Sequence, residues 1–303
     1  MAIRRKVIPL QPQARHGMPT ITCADGTKLY YEEAGIGTPV VFVHEFAGDY
    51  RTWEPQMRAF SRSHRCVTFS ARGYPPSEVP SDQARYGQDI ARADVVAIMD
   101  ALGIAKAHVV GHSMGAYTAL HIGIRHAERC ISVTAAGCGW GSVADPAMRE
   151  AMRKVAAENA KLFTDNDIKT AAAIYADAPA RRTHKYKDPR GFAEFARMLS
   201  EHSALGHALT MSMLQAKRPT LWDLETDLKR FSVPLLVIVG DEDDTCIEGS
   251  VFLKATVPTA GLLVVPRSGH NITSEEPAIM NAALADFFAA AEAGRWLSHK
   301  PPA

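Results

Sequence analysis

The sequence predicts an α/β protein with a doubly wound, mostly parallel sheet. Short apolar runs alternate with helical patterns along most of the 303 residues. Each run is apolar on both faces, which is typical of strands that are covered by helices on both sides. The predicted parallel strands are residues 39–44, 65–69, 107–110, 131–136, 233–239 and 261–265.

The other elements follow from turn signals and from the spacing of apolar residues. Residues 21–24 and 29–33 flank Asp25-Gly26, a dipeptide that favours a two-residue hairpin turn. Apolar residues at helical spacing predict helices at residues 53–60, 86–102, 116–124, 248–256 and 277–291.

The alternation of strands and helices stops between residues 142 and 230. This stretch is rich in Ala, Met, Leu, Glu, Lys and Arg and contains no strand-like apolar run. We therefore predict a core formed by residues 1–141 and 231–303, with residues 142–230 inserted as a helical cap. Residues 1–19 are basic and contain several prolines, and we expect them to form an irregular arm.

Composition and charge exclude several classes of partner. The formal net charge of +1 gives no reason to expect binding to nucleic acid or to an anionic membrane. No apolar run approaches the roughly 20 residues that span a bilayer, and the N-terminus lacks the apolar core of a signal peptide. The five cysteines are widely spaced, which favours a reducing compartment. We expect a cytoplasmic protein that acts on a small molecule, as a monomer or a homodimer.

A G-x-S-x-G pentapeptide, residues 111–115, lies between a predicted strand and a predicted helix. In that context the serine, here Ser113, sits on a sharp turn with its hydroxyl exposed. Glycines on either side leave room for such a turn, and the following helix N-terminus supplies N–H donors. The pentapeptide alone is also compatible with an ordinary strand-to-helix turn, so further residues must support a nucleophile.

A serine nucleophile needs a base, usually a histidine that a third group holds in place. In a doubly wound sheet such groups collect at the carboxyl ends of the strands. The strand at 233–239 is followed by a loop with Asp241, Asp243 and Asp244, and the strand at 261–265 is followed by a loop that ends in His270. The chain order Ser, Asp, His is the one associated with this type of serine turn.

With these motifs, the chain resembles an α/β-hydrolase-fold protein with a helical cap, from about residue 20 to residue 293. The family's acid is the aspartate of a G-x-x-D motif, which matches Gly240 to Asp243, and its base is the histidine of a G-H pair, which matches Gly269-His270. The resemblance implies that Asp243 orients His270 and that His270 takes the proton of Ser113.

The resemblance also implies an oxyanion hole made by the backbone N–H groups of Met114 and Phe46. Glu45 stands where the family usually has glycine. Either Glu45 points away to a partner such as Arg72, which we favour, or it takes part in the chemistry, for instance by positioning water. His44 and His112 are expected to be active-site neighbours that pack or donate hydrogen bonds.

Metal and nucleotide cofactors are not expected. Residues 44–45 begin an H-E-x-x-H pattern, but residue 48 is glycine, so the zinc-protease motif fails. The sequence has no phosphate-binding G-x-x-x-x-G-K-[ST] and no G-x-G-x-x-G after a strand.

These residues predict a serine hydrolase that cleaves a small-to-medium apolar carboxylic ester through an acyl-enzyme. A C–C bond hydrolase, lactonase, amidase or acyltransferase would use the same residues. The alternative from another class is a non-catalytic, ligand-binding receptor of the same fold. Three histidines of the cap, His184, His202 and His207, are expected to be exposed.

Overall fold

The computed structural model describes residues 18–298, so most of the predicted N-terminal arm lies outside the described residues. An eight-stranded sheet forms the centre of the protein, with the strand order β1-β2-β4-β3-β5-β6-β7-β8. The pairs β1–β2 and β2–β4 are antiparallel, and all other pairs are parallel. This arrangement confirms the predicted fold class. The strands are β1 Thr20–Thr22, β2 Lys28–Ala34, β3 Thr38–Val43, β4 His64–Phe69, β5 Ala107–His112, β6 Cys130–Ala136, β7 Leu235–Gly240 and β8 Ala260–Val265.

In the part of the chain that the structure describes, six α-helices flank the sheet and six more lie between β6 and β7. The flanking helices are α1 Glu54–Phe60, α2 Gln88–Ala101, α3 Met114–Arg125, α10 Asp244–Thr256, α11 Ile272–Glu275 and α12 Pro277–Glu292. The helices between β6 and β7 are α4 Pro146–Asp165, α5 Ile168–Ala176, α6 Arg182–Lys187, α7 Pro189–Leu199, α8 Ala204–Leu209 and α9 Glu225–Lys229. We refer to residues 142–230 as the inserted segment. None of the helices described in residues 18–298 is long and apolar enough to cross a membrane.

Two apolar layers enclose the sheet, and successive strand residues alternate between them. In β3, Val41 and Val43 face the layer that contains α2 and α3, whereas Val40 and Phe42 face the layer that contains α1 and α12. The central strand β5 is buried along its whole length. Burial on both faces explains why the strands read as continuous apolar runs, and each fully buried aliphatic side chain stabilises the fold by about 1.5–3 kcal/mol.

Most element boundaries differ from the sequence prediction by one or two residues, and the starts of two elements have a local reason. Strand β7 begins at Leu235 rather than at residue 233. Pro234 precedes it, and a proline has no N–H to donate to a neighbouring strand. Helix α10 begins at Asp244, four residues before the apolar pattern starts. Asp243 is the N-cap residue of this helix.

The turn between β5 and α3 brings α3 against the end of β3. Ser113 occupies this turn with φ of 53° and ψ of −111°, which is unusual for a residue with a side chain. A Cβ atom on Gly111 would overlap the carbonyl of Gly115, and one on Gly115 would overlap the carbonyl of Val43. Both glycines are therefore sterically required, and the second one sets the distance between α3 and β3.

This packing predicts that Gly115→Ala lowers stability more than a comparable change in open space. Forcing a methyl group against the Val43 carbonyl should lower the free energy of unfolding by about 1–3 kcal/mol. Gly87→Ala is the control, because nothing lies within 4 Å of its Cβ position, and the loss there should stay below about 1 kcal/mol. Urea unfolding monitored by fluorescence measures both, and equal losses would contradict this account.

Candidate active site

Four parallel strands end at the same edge of the sheet, and a candidate functional residue follows each of them. Ser113 follows β5, Asp243 lies in the loop after β7, His270 lies in the loop after β8, and residues 44–46 follow β3. The structure therefore collects the predicted residues at one edge, as the topology of a doubly wound sheet requires.

Ser113, His270 and Asp243 form one hydrogen-bonded chain. The His270 Nε2 lies 2.9 Å from the Ser113 Oγ, and the His270 Nδ1 lies 2.7 Å from the Asp243 Oδ2. All three side chains are buried. Of the two neighbouring carboxylates, Asp241 accepts a hydrogen bond from the Ser268 N–H instead, and Asp244 is exposed at the start of α10.

The pair His270–Asp243 is tuned for proton uptake by the histidine. Burial alone raises the pKa of Asp243, but the charge and hydrogen bond of His270 outweigh it and hold that pKa below its ordinary value. Burial lowers the pKa of His270, but Asp243, followed by Glu45, more than compensates and raises it above the ordinary value. Asp243 therefore stays ionised, and His270 is a stronger base than a free imidazole.

The backbone N–H groups of Phe46 and Met114 are available to a ligand. Within residues 18–298, neither N–H group donates a hydrogen bond to another residue. The missing Cβ of Gly115 lets the first turn of α3 pack against the backbone of Val43 and His44, which brings the segment with Phe46 next to Met114. Two free donors at a helix N-terminus and a neighbouring loop suit a negatively charged oxygen.

The sequence profile that describes the alpha/beta hydrolase fold matches residues 38–277. The chain belongs to this family. It is 29% identical to 3-oxoadipate enol-lactonase 1 of Acinetobacter baylyi, over 78% of this chain and 84% of that protein. The prediction of an enzyme is thereby confirmed, and the chain is an α/β hydrolase.

Solved structures agree on the fold. The enol-lactonase from Burkholderia xenovorans superimposes with a TM-score of 0.75 at 23% identity, covering 89% of this chain and 100% of that chain. A thermophilic esterase from Thermogutta terrifontis gives a TM-score of 0.77 at 23% identity, covering 91% of this chain and 99% of that chain.

Two neutral histidines of this α/β hydrolase form hydrogen bonds with the backbone of the loops at the site. The His44 Nε2 accepts a hydrogen bond from the Ala71 N–H, so its Nδ1 donates to the Glu45 carbonyl at 2.6 Å. The His112 Nε2 donates to the His270 carbonyl at 2.7 Å. Burial lowers the pKa of each to about 4, so both are uncharged near neutral pH. They hold the loops that carry Glu45 and His270.

Glu45 does not bind Arg72, and that expectation was wrong. Arg72 pairs with Asp94 and Asp25 instead. The Glu45 carboxylate instead receives hydrogen bonds from Arg181 at 2.6 and 3.1 Å, and both side chains are buried. Arg181 comes from the inserted segment, whose packing against the core has no local sequence signal.

The three histidines of the inserted segment are buried, so the expectation that they are exposed was also wrong. The His202 Nε2 lies 3.1 Å from the Asp49 Oδ2, and its Nδ1 lies 2.9 Å from the His207 Nε2. The His184 Nδ1 lies 2.9 Å from the Asn271 Nδ2. These histidines join the inserted segment to the core, and nothing in their sequence spacing indicated partners so distant in the chain.

Among residues 18–298, the group of side chains that could hold a metal shares Asp243 and His270 with the hydrogen-bonded chain. Potential ligand atoms of Asp243, Cys246 and His270 lie within 4.8 Å of one another. The His270 Nδ1 already contacts Asp243, and the Cys246 thiol donates to the Gly137 carbonyl. Burial raises the pKa of the Cys246 thiol well above its ordinary value, so it stays protonated, whereas a metal ligand would be a thiolate. The donor set fits proton transfer better than metal binding.

The neutral state of His112 generates a prediction. His112→Phe leaves the buried His270 carbonyl without its donor and should lower the free energy of unfolding by about 1–3 kcal/mol. Because His112 carries no charge near neutral pH, the pH at which activity is half-maximal should not move. His112→Gln, which keeps an amide donor, is the matched control. A shift of the pH profile in His112→Phe would show that His112 does carry charge in the working enzyme.

Proposed function

We propose that this α/β hydrolase is a serine hydrolase that cleaves a small-to-medium apolar carboxylic ester through an acyl-enzyme. The observation that carries the proposal is the hydrogen-bonded chain from Ser113 through His270 to Asp243. A hydroxyl, a base with a raised pKa and an ionised carboxylate in this order constitute the elements of nucleophilic acyl transfer.

In the proposed reaction, the Ser113 Oγ attacks the ester carbonyl carbon while its proton passes to the His270 Nε2. The resulting oxyanion accepts hydrogen bonds from the N–H groups of Phe46 and Met114. Each such donor is typically worth about 2.7–4 kcal/mol in the transition state. His270 then gives its proton to the leaving alcohol oxygen, and an acyl-Ser113 ester remains.

Water completes the cycle by the same route in reverse. His270 takes a proton from the attacking water, a second oxyanion forms at the same N–H groups, and the Ser113 Oγ leaves with the proton from His270. The products are a carboxylic acid and an alcohol. Asp243 holds the neutral imidazole of His270 in the required tautomer. It also stabilises the imidazolium that forms in both halves of the reaction.

A buried apolar cluster beside the proposed oxyanion hole supports the proposal of an apolar substrate. Phe46 and Met114 belong to one buried cluster with Phe163, Met211 and Leu214 of the inserted segment. Met-containing surfaces adapt to ligands of variable shape. We therefore treat residues 142–230 as a cap that covers the acyl or alcohol part of the substrate.

A lactonase is the second candidate. Among the relatives reported above, the one at 29% identity is named an enol-lactonase. A lactone is an internal ester, so the same attack by Ser113 opens its ring, and the leaving alcohol stays attached to the acyl group. We place either enzyme in the cytoplasm, since scattered cysteines fit a reducing compartment.

The nucleophile is tested by incubating the protein with a fluorophosphonate and measuring its intact mass. We expect one adduct, absent in Ser113→Ala, with a loss of p-nitrophenyl ester turnover of about 10⁶-fold. Acetate, butyrate and octanoate esters measure the size of the acyl site, and five- and six-membered lactones test the second candidate. An adduct that persists in Ser113→Ala would refute the assignment.

The pH dependence of kcat/KM tests the role of His270. Only the neutral imidazole takes a proton, so activity should fall as the pH drops through the pKa of His270, at a midpoint above the ordinary histidine value. Asp243→Asn removes the main group that raises this pKa, so the midpoint should move to lower pH. Turnover should fall by about 10⁴-fold, because the tautomer is no longer fixed. A midpoint that stays in place in Asp243→Asn would argue against the pairing.

A further inference from the structure

Arg181 extends from the inserted segment into the loops that form the proposed active site. It ends the short turn Pro179–Arg181, which precedes α6, and its side chain is 4% exposed. The two terminal nitrogens of its guanidinium donate to Glu45, at 2.6 and 3.1 Å, and one of them also donates to the Asn271 Oδ1. The carbonyl of the preceding residue, Ala180, accepts the His270 N–H at 3.0 Å.

The partners of Arg181 are the chain neighbours of two proposed reacting groups. Glu45 immediately precedes Phe46, and Asn271 immediately follows His270. One guanidinium therefore joins the oxyanion loop, residues 44–46, to the loop that carries the base. A guanidinium is planar and presents its donors in a fixed fork, so it fixes the mutual placement of the groups it binds.

The inserted segment holds Arg181 in place from its other side. The guanidinium carbon lies 4.7 Å from the centre of the Phe195 ring and 5.6 Å from that of Tyr175. Cations are attracted to aromatic faces at these distances, more strongly when water is excluded. Arg181 is thus fixed by α5 and α7 and transmits their position to the core.

We propose that Arg181 is a positioning residue that sets the oxyanion loop and His270 in register through Glu45 and Asn271. This inference rests on the function proposed above. The proposal explains why Glu45 stands in place of the usual glycine. The Glu45 carboxylate is the group through which Arg181 of the inserted segment binds the oxyanion loop. If the proposal holds, the active site has its working geometry only when residues 142–230 are packed against the core.

Arg181 has a second effect, because it neutralises a charge beside the reacting proton. The Glu45 Oε2 lies 4.0 Å from the His270 Nε2, the nitrogen that faces Ser113. Burial alone raises the pKa of Glu45, but the charge of Arg181 outweighs it and keeps the carboxylate ionised. Without Arg181, this carboxylate would be an uncompensated charge next to the forming oxyanion.

A purely structural role is the alternative, since removal of one partner of a buried ion pair destabilises most proteins. Kinetic measurements on folded variants separate the two. For Arg181→Ala we expect kcat to fall about 100-fold with KM changed less than about threefold, because a misplacement of about 1 Å has an effect of this size on turnover. Guanidinium chloride at a non-denaturing concentration should restore part of kcat. Arg181→Lys keeps the positive charge but loses the paired guanidinium donors. Its kcat should lie between that of the wild type and that of Arg181→Ala.

Two further variants serve as controls. Arg51→Ala is matched, since Arg51, which binds Asp49 of the core, also joins the core to Glu201 of the inserted segment. Its kcat should stay within about threefold of the wild-type value. The double variant Glu45→Gln/Arg181→Met replaces the ion pair by neutral groups of similar size, which usually preserves folding. Its kcat should be as low as that of Arg181→Ala.

The pH profile gives a readout that a structural role would not produce. Among the described residues, the charged groups that act on His270 are Asp243, Glu45 and Arg181, of which the carboxylates raise its pKa and Arg181 lowers it. His112 and Cys246 also contact His270, but burial lowers the pKa of His112 and raises that of Cys246, so both are uncharged near neutral pH. Arg181→Ala should therefore move the acid limb of kcat/KM to higher pH. Glu45→Gln should move it to lower pH.

The inference is overturned if Arg181→Ala keeps its kcat and acid limb while only its unfolding midpoint falls, or if Arg51→Ala loses as much activity as Arg181→Ala. Failure of the proposed function would look different. In that case the wild-type protein itself would give neither a Ser113 adduct nor ester turnover.

Discussion

The close contact between the N-terminus of α3 and the end of β3 is the constraint on which the rest of the site depends. It requires glycine at residues 111 and 115, and it forces Ser113 into a backbone conformation with positive φ. The same contact places the N–H of Met114 beside the loop with Phe46. Local strain and the proposed donor pair thus have one cause, which is the fit of a helix end against a parallel strand.

Much of this arrangement could be predicted from the sequence, because it depends on local signals and topology. Strands buried on both faces appear in the sequence as apolar runs. The residues that follow parallel strands must meet at one edge of the sheet. Ser113, His270 and the loop with three aspartates were found in this way, and the family resemblance chose Asp243 among the three. The side chains of Ser113, His270 and Asp243 lie within hydrogen-bond distance. Their chemical roles stay a prediction that kinetics must test.

The contacts of the inserted segment could not be predicted, because they join residues that are far apart in the chain. Glu45 and Arg181 are 136 positions apart, and no periodicity relates them. The burial of His202 and His207 has the same origin, since polar side chains at a buried junction look like surface residues in a sequence. Arg72, the partner expected for Glu45, already binds Asp94 and Asp25.

The sum of charges explains how a carboxylate is tolerated in the oxyanion loop. Glu45 and Asp243 are negative and Arg181 is positive, so the resting site carries one net negative charge. In the proposed reaction, proton transfer from Ser113 creates an imidazolium and an oxyanion without changing this total. The imidazolium forms between the two carboxylates, which stabilise it, while the oxyanion faces N–H donors. In this proposal Arg181 offsets the field of Glu45 at the oxyanion, so the loop keeps its fixed geometry without opposing the charge that develops there.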